Sequence, residues 1–189
     1  MLADPASRPA DAEVQERLQK IAGQVQLGKS VTHRLLGFSR RIGPLTEPLD
    51  VVAALDETVS FILTEAEAAQ VRLGRNSAAG IPLVRSNLGQ IQQVFLNVVA
   101  NAIDAGGHDG DVPLGVRCAR GGGEVEVADT GRGIPVATLE RIFELFDSTK
   151  PRSSRHCGLG LSTCREIMRT LGARITASNG PGGGAVFTP

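Results

Sequence analysis

At 189 residues the chain has room for one domain of ordinary size and a small additional element, and its 41% hydrophobic content is enough for a core. Its 20 basic and 20 acidic side chains cancel, and with 3% aromatics and no Trp or Tyr it offers neither the basic surface nor the stacking platforms of a nucleic-acid binder. No apolar run approaches the ~18 residues that cross a bilayer, Asp4, Pro5 and Pro9 stand where a signal peptide needs its apolar centre, and Cys118, Cys157 and Cys164 lack metal spacing, so a reducing, cytoplasmic setting without membrane contact is expected.

Residues 1–10 carry two prolines and read as a frayed tail. From Asp11 to Ile42 the pattern is that of one long helix: Val14, Leu18, Ile21, Val25, Gly28, Thr32, Leu35, Ser39 and Ile42 alternate four and three apart. Leu27, Val31, Leu36 and Phe38 widen the stripe beyond a two-helix seam, so it fits a bundle better. Gly43-Pro44 stops the helix and divides the chain into residues 11–43 and a domain over 44–189.

Pro48-Leu49 reads as a short strand, and Asp50 caps a helix running through Val51, Leu55, Val59 and Ile62 to about Ala69. Val71–Leu73 and Ile81–Val84 are expected as short strands about the turn-rich GRNSAAG. Next comes NLGQIQQVFLNVVANAIDA, Asn87 to Ala105. Asn87 suits the N-cap, with Gln90 at capping-box spacing, and Gly106-Gly107 suits the stop. Leu88, Ile91, Phe95, Val98, Ala102 and Ala105 define its expected buried face.

Residues 113–119 and 124–129 alternate apolar and polar about Gly121-Gly122-Gly123 and read as a hairpin. Val136–Phe143 reads as a short helix. Lys150–Cys157 is a charged loop, and Leu159–Leu171 is a helix with Leu161, Ile167, Met168 and Leu171 inward. Ala173–Ser178 and Ala185–Phe187 are strands about GPGGG. This irregular alternation predicts an α/β (α+β) two-layer sandwich, a mixed sheet with helices on one face, preceded by the long N-terminal helix.

Four pieces stand out as chemistry. Gln93, Asn97, Asn101 and Asp104 form a polar stripe along the 87–105 helix. Asn disfavours helix interiors, so the stripe is either a solvated face or a set of amide oxygens for a ligand or hard cation. DTGRGIP (Asp129–Pro135) opens with a carboxylate before two glycines. FELFDSTK (Phe143–Lys150) ends on a lysine, and GLGLS (Gly158–Ser162) runs into a helix. Singly, each is as readily an ordinary turn or a solvated loop.

Together and in this order they resemble the ATP-binding domain of sensor histidine kinases, part of the superfamily shared with DNA gyrase, heat-shock chaperones and mismatch-repair ATPases. The resemblance covers residues 45–189. More loosely, ERLQKIAGQVQLGKSVTHRLLGFSRR looks like the second helix of the dimerisation bundle, implying a homodimer through residues 11–42. It implies a two-layer fold, MgATP as substrate and a response regulator as partner. Asn101 would hold Mg²⁺. Asn97 stands where hydrolytic members carry a glutamate, and an amide cannot take the proton from water. Asp129 would accept from the adenine amine beside Gly131, Gly133 and Ile134. Asp104, Lys150 and the Gly158, Leu159, Gly160, Leu161 and Ser162 run would complete the nucleotide contacts, the last through a helix N-terminus.

The chain also departs from the family. His156 and Cys157 replace the small residues before GLGLS, Leu145 and Asp147 replace a proline and an aromatic, and the lid from Pro151 to Cys157 is short. The family's acceptor histidine precedes an acid on the first bundle helix. None of His33, His108 and His156 has that setting. The implied enzyme therefore transfers to a histidine outside these residues. The rivals are a serine/threonine kinase of the same superfamily and a nucleotide-binding or dimerisation module without transfer.

Overall fold

Short polar side chains start the two longest helices among the described residues. Asp50, in extended conformation, accepts hydrogen bonds from the Val52 and Ala53 amides at 2.9 and 3.1 Å and opens α1 (Val51–Ala68). Asn87 accepts from the Gln90 amide at 3.0 Å and opens α2 (Leu88–Gly106). Each removes one or two of the unpaired N–H groups that every helix start leaves behind. Gly107, at φ +64°, ends α2 in a backbone conformation that other residues enter only at a cost.

The computed structural model describes residues 46–119, 122–139, 141–144 and 160–189. The chain divides into two units, Met1–Ile42 and Gly43–Pro189, and all described residues belong to the second. The expected tail, the 11–42 helix with His33, and the stretch bearing Leu145, Asp147, Lys150, His156, Cys157, Gly158 and Leu159 lie outside the described residues.

The other described elements are β1 (Glu47–Leu49), β2 (Arg72–Ser77), β3 (Val84–Ser86), β4 (Asp111–Ala119), β5 (Gly122–Ala128), a 3₁₀ turn (Val136–Thr138), α3 (Gly160–Thr170), β6 (Thr176–Asn179) and β7 (Ala185–Thr188). β1 and β3 pair antiparallel as a small ribbon. The main sheet has the order β2-β4-β5-β7-β6. It is mixed: β2 runs parallel to β4, and the β4–β5, β5–β7 and β7–β6 pairs are antiparallel. A parallel pair needs a long crossover, and the chain between β2 and β4 supplies it with β3 and α2.

One face of the sheet carries the core. Val112, Leu114 and Val116 of β4, Val125 and Val127 of β5, and Ala185 and Phe187 of β7 are buried in alternation, while Pro113 and Arg117 face water. The helices cover that buried face, which gives the two layers expected from the sequence. α2 is the central helix, with Ile91, Val94, Phe95, Val98, Val99, Ala102 and Ile103 all buried. Each of these side chains except Ala102 contributes about 1.5–3 kcal/mol over its exposed state.

Several local expectations need correction. The turn-like GRNS forms most of β2, because its backbone pairs along β4 from Arg72↔Asp111 to Ser77↔Val116; a strand at Val71–Leu73 alone is too short, and Ile81–Leu83 precede β3. Val136–Phe143 holds only the 3₁₀ turn and further turns where described. Gly122 and Gly123 belong to β5. Ala105 is exposed, since α2 rotates its buried stripe toward Val94, Val99 and Ile103. On α3 the innermost side chains are Cys164, Ile167 and Met168, while Leu161 and Leu171 are half-buried.

Candidate functional site

The DTGRGIP loop leaves β5 and is fixed at three points. Its first residue, Asp129, is only 5% exposed. The Asp129 amide donates to the Ala185 carbonyl at 2.9 Å, extending the β5–β7 pairing by one step. Its Oδ1 accepts from the Gly131 amide at 2.8 Å and the Ala185 amide at 3.2 Å. Its Oδ2 is buried with no hydrogen-bond partner. A buried carboxylate oxygen without a donor is costly, so this atom is either a reservoir of instability or half of a contact completed by a ligand.

Gly131 is the second point. It lies against the C-terminal turn of α2, where a β-carbon would strike the Ala105 carbonyl oxygen. Its glycine is thus required by packing against the helix, in addition to the access to a ligand expected from the sequence. The third point is Ile134. Its amide donates to Asn179 Oδ1 and its carbonyl accepts from Asn179 Nδ2, both at 2.8 Å. Gly133, at φ +71°, sits under that contact, 2.9 Å separating a built β-carbon from Asn179 Oδ1. Arg132, Gly133, Ile134 and Pro135 line an open depression of about 290 Å³.

The polar stripe of α2 lies beside the core. Gln93, Asn97 and Asn101 are half-buried, and Asp104 is exposed and engaged in an interaction of its own. Asn97 faces the start of α3: a β-carbon on Gly160 would stand 3.6 Å from Asn97 Oδ1. Leu161 and Ser162 follow in the first turn of α3, both half-buried. Cys164, fully buried, donates to the Val94 carbonyl at 3.8 Å and meets the Asn97 side chain. Burial pushes its thiol up to about 12, only partly offset by the Asn97 hydrogen bond.

The fold therefore brings the described motifs onto one helix. The GLGLS end meets α2 at Asn97, and the DTGRGIP loop meets it at Ala105. Lys150, Gly158 and Leu159 are outside the described residues. Residues 87–188 match the family described as histidine kinase-, DNA gyrase B- and HSP90-like ATPase. The chain belongs to that family.

Relatives within this ATPase family carry sensor-kinase names. The sensor histidine kinase ZraS of Klebsiella oxytoca is 28% identical over 181 residues, covering 95% of this chain and 38% of that protein. The C4-dicarboxylate transport sensor protein DctS of Rhodobacter capsulatus is 32% identical over 180 residues, covering 93% of this chain and 27% of that one. The chain thus spans well under half the length of either. Among solved structures, the catalytic domain of the histidine kinase ThkA superposes with a TM-score of 0.69 at 26% identity, over 76% of this chain and 92% of that domain.

The sequence singled out Asp129 and the asparagines as candidates, did not single out Asn179 or Gly184, and read Cys164 only as a thiol without metal spacing. Gly184 is buried, with φ +72°, and packs directly on the Asp129 backbone. GPGGG signals only a turn; which residue it meets depends on β7 lying beside β5. Thr130 was also overlooked: its hydroxyl accepts from the Asp111 amide at 3.0 Å, tying the loop to the start of β4.

Proposed function

We propose that this chain is the ATP-binding catalytic part of a two-component sensor histidine kinase and transfers the γ-phosphoryl group of MgATP to a histidine outside the 189 residues. The observation that carries the reading is the arrangement along α2, with the unpartnered Asp129 oxygen at one end and Asn97 beside Gly160 nearer the middle. Eight residues separate Asn97 from Ala105, about 12 Å of helix axis. That spacing suits a ligand with a donor-bearing base at one end and phosphates at the other.

In this reading Asp129 Oδ2 accepts from the adenine amine, and Gly131, Gly133 and Ile134 wall the base. Asn101 would supply a neutral oxygen to Mg²⁺, and the ion, when bound, would neutralise charge on the transferring group. Asp104 continues the same stripe on the nucleotide side. Gly160, Leu161 and Ser162 would hold phosphate at the start of α3, with Gly158 and Leu159 of the same motif and Lys150 adding to the phosphate contacts. Asn97 cannot act as a base, so water beside the γ-phosphate stays inactive and the phosphoryl group is kept for the acceptor. Residues 11–42 would supply one helix of a dimerisation bundle, the response regulator would receive the phosphoryl group next, and the site would face the cytoplasm.

The test joins nucleotide titration to labelled transfer. The chain should bind ATP, leave itself unlabelled, and label a separately supplied histidine-bearing helix slowly, because tethering supplies much of the rate. His33→Ala should change none of this. Acid-stable label on serine would make the chain a serine/threonine kinase, and tight binding without any transfer would make it a nucleotide-binding module. Self-labelling that vanishes in His33→Ala would make His33 the acceptor.

A further inference from the structure

Asn179, at the end of β6, lies far from the nucleotide motifs in sequence, yet its carboxamide is committed to one of them. Oδ1 takes the Ile134 amide proton and Nδ2 gives its proton to the Ile134 carbonyl, each at 2.8 Å. Only one orientation of the carboxamide satisfies a donor and an acceptor on the same residue, so the contact fixes the Asn179 rotamer as well as the loop. Asp or Ser can supply at most part of it at neutral pH. Gly133 leaves room for it, since a β-carbon there would stand 2.9 Å from Asn179 Oδ1.

The consequence follows from where the loop is otherwise held. Asp129 is fixed to β7 through Ala185, and Gly131 is fixed against α2. Beyond Gly131 the described hydrogen bonds that return the loop to the sheet are the two exchanged between Ile134 and Asn179. They therefore set the separation between Ile134, an apolar wall, and Asp129 Oδ2, the unpartnered acceptor. A purine held between the two reads both at once. If the wall drifts, the base can tilt and the hydrogen bond to Oδ2 lengthens, although Asp129 has not moved.

We infer that Asn179 is a positioning residue for recognition of the adenine amine, acting through the backbone of Ile134. The inference rests on the nucleotide reading of the pocket.

The test compares ATP with purine riboside 5′-triphosphate, which lacks the 6-amino group. Calorimetry on the full chain should show ATP favoured roughly tenfold or more, the value of one charge-assisted hydrogen bond. Asn179→Ala should lower that preference several-fold, and Asn179→Asp, which keeps the acceptor for the Ile134 amide, should lie between. Exchange of the Ile134 amide proton should speed up in Asn179→Ala and less in Asn179→Asp. A role confined to stability would shift the unfolding midpoint while leaving the preference unchanged, and that result overturns the inference. Should Asn179→Ala not fold, Asn179→Asp decides: a preference equal to that of the unsubstituted chain also overturns it. An unsubstituted chain that bound both nucleotides equally would defeat the Asp129 reading itself and would do so before any substitution.

Discussion

Gly184 stands so close to Asp129 that a single added β-carbon would overlap the Asp129 carbonyl oxygen. The two residues flank strands that are neighbours in the sheet, Asp129 just after β5 and Gly184 just before β7, and the backbone of one is the wall against which the other is pressed. Gly184 also has φ +72°, which a side chain enters only under strain. Gly184→Ala should therefore lose about 1–3 kcal/mol from backbone conformation alone, with the overlap added to it. Gly182 is two residues earlier, with nothing within 4 Å. Gly182→Ala should stay within about 0.5 kcal/mol of the parent. Urea unfolding midpoints of the two variants check the contrast.

Asp129→Asn should separate the fold from the ligand. The amide oxygen can take over the bonds from Gly131 and Ala185, so the loop keeps its shape. The Oδ2 position then becomes an NH₂ group, a donor pointed at a donor. ATP binding should weaken by about 1.5–3 kcal/mol, or roughly ten- to a hundred-fold. Titration calorimetry on a variant with native circular dichroism reads it, and an unchanged affinity would rule this pocket out.

α1, α2 and α3 were legible because their signals are local, and so was the glycine turn after Asp129. Asn87 with Gln90, and Asp50 with its following amides, are cap patterns written within four residues. β2 was not legible in full. Gly74, Asn76 and Ser77 have turn-forming character, and what makes them a strand is β4, paired to them in parallel across an intervening helix. Asn179 and Gly184 were hidden for the same reason. Their partners lie about fifty residues away and meet them only once β7 has settled between β5 and β6. Cys164 was passed over because thiols were weighed as metal ligands, whereas its chemistry here is that of a small buried apolar group.

Asn101→Ala should remove the dependence of nucleotide binding on Mg²⁺ while sparing the adenine end. A neutral oxygen contributes to the ion only when phosphate and water complete its shell. Titrations of ATP with and without Mg²⁺, run on both proteins, should converge for the variant and differ for the parent. Equal Mg²⁺ enhancement in both would remove Asn101 from the ion.

Cys164 gives a dependence on alkaline pH. Its folded-state value, about 12, lies above the ordinary 9.0. The folded chain thus holds a proton that the unfolded chain releases between those values. The stabilisation is complete below about pH 9 and is lost as pH rises toward 12. Cys164→Ala should flatten that part of the stability profile measured by urea unfolding. In the same vein, iodoacetamide at pH 8 should modify exposed Cys118 in the native protein and leave Cys164 untouched until unfolding.

The sheet order has a bearing on synthesis. β7 lies between β5 and β6, although it is made after both, and among the described strands it is the only sheet neighbour of β6. Until residues 185–188 emerge from the ribosome, β5 has an open edge, β6 has nowhere to pair, and Asp129 lacks the Ala185 amide that orients it. A nascent chain halted at residue 180 can build its helices, whose hydrogen bonds are local, but not a pocket for a nucleotide. On the proposed reading of the site, ATP cannot act as a template for early folding and can stabilise only chains whose translation has passed β7.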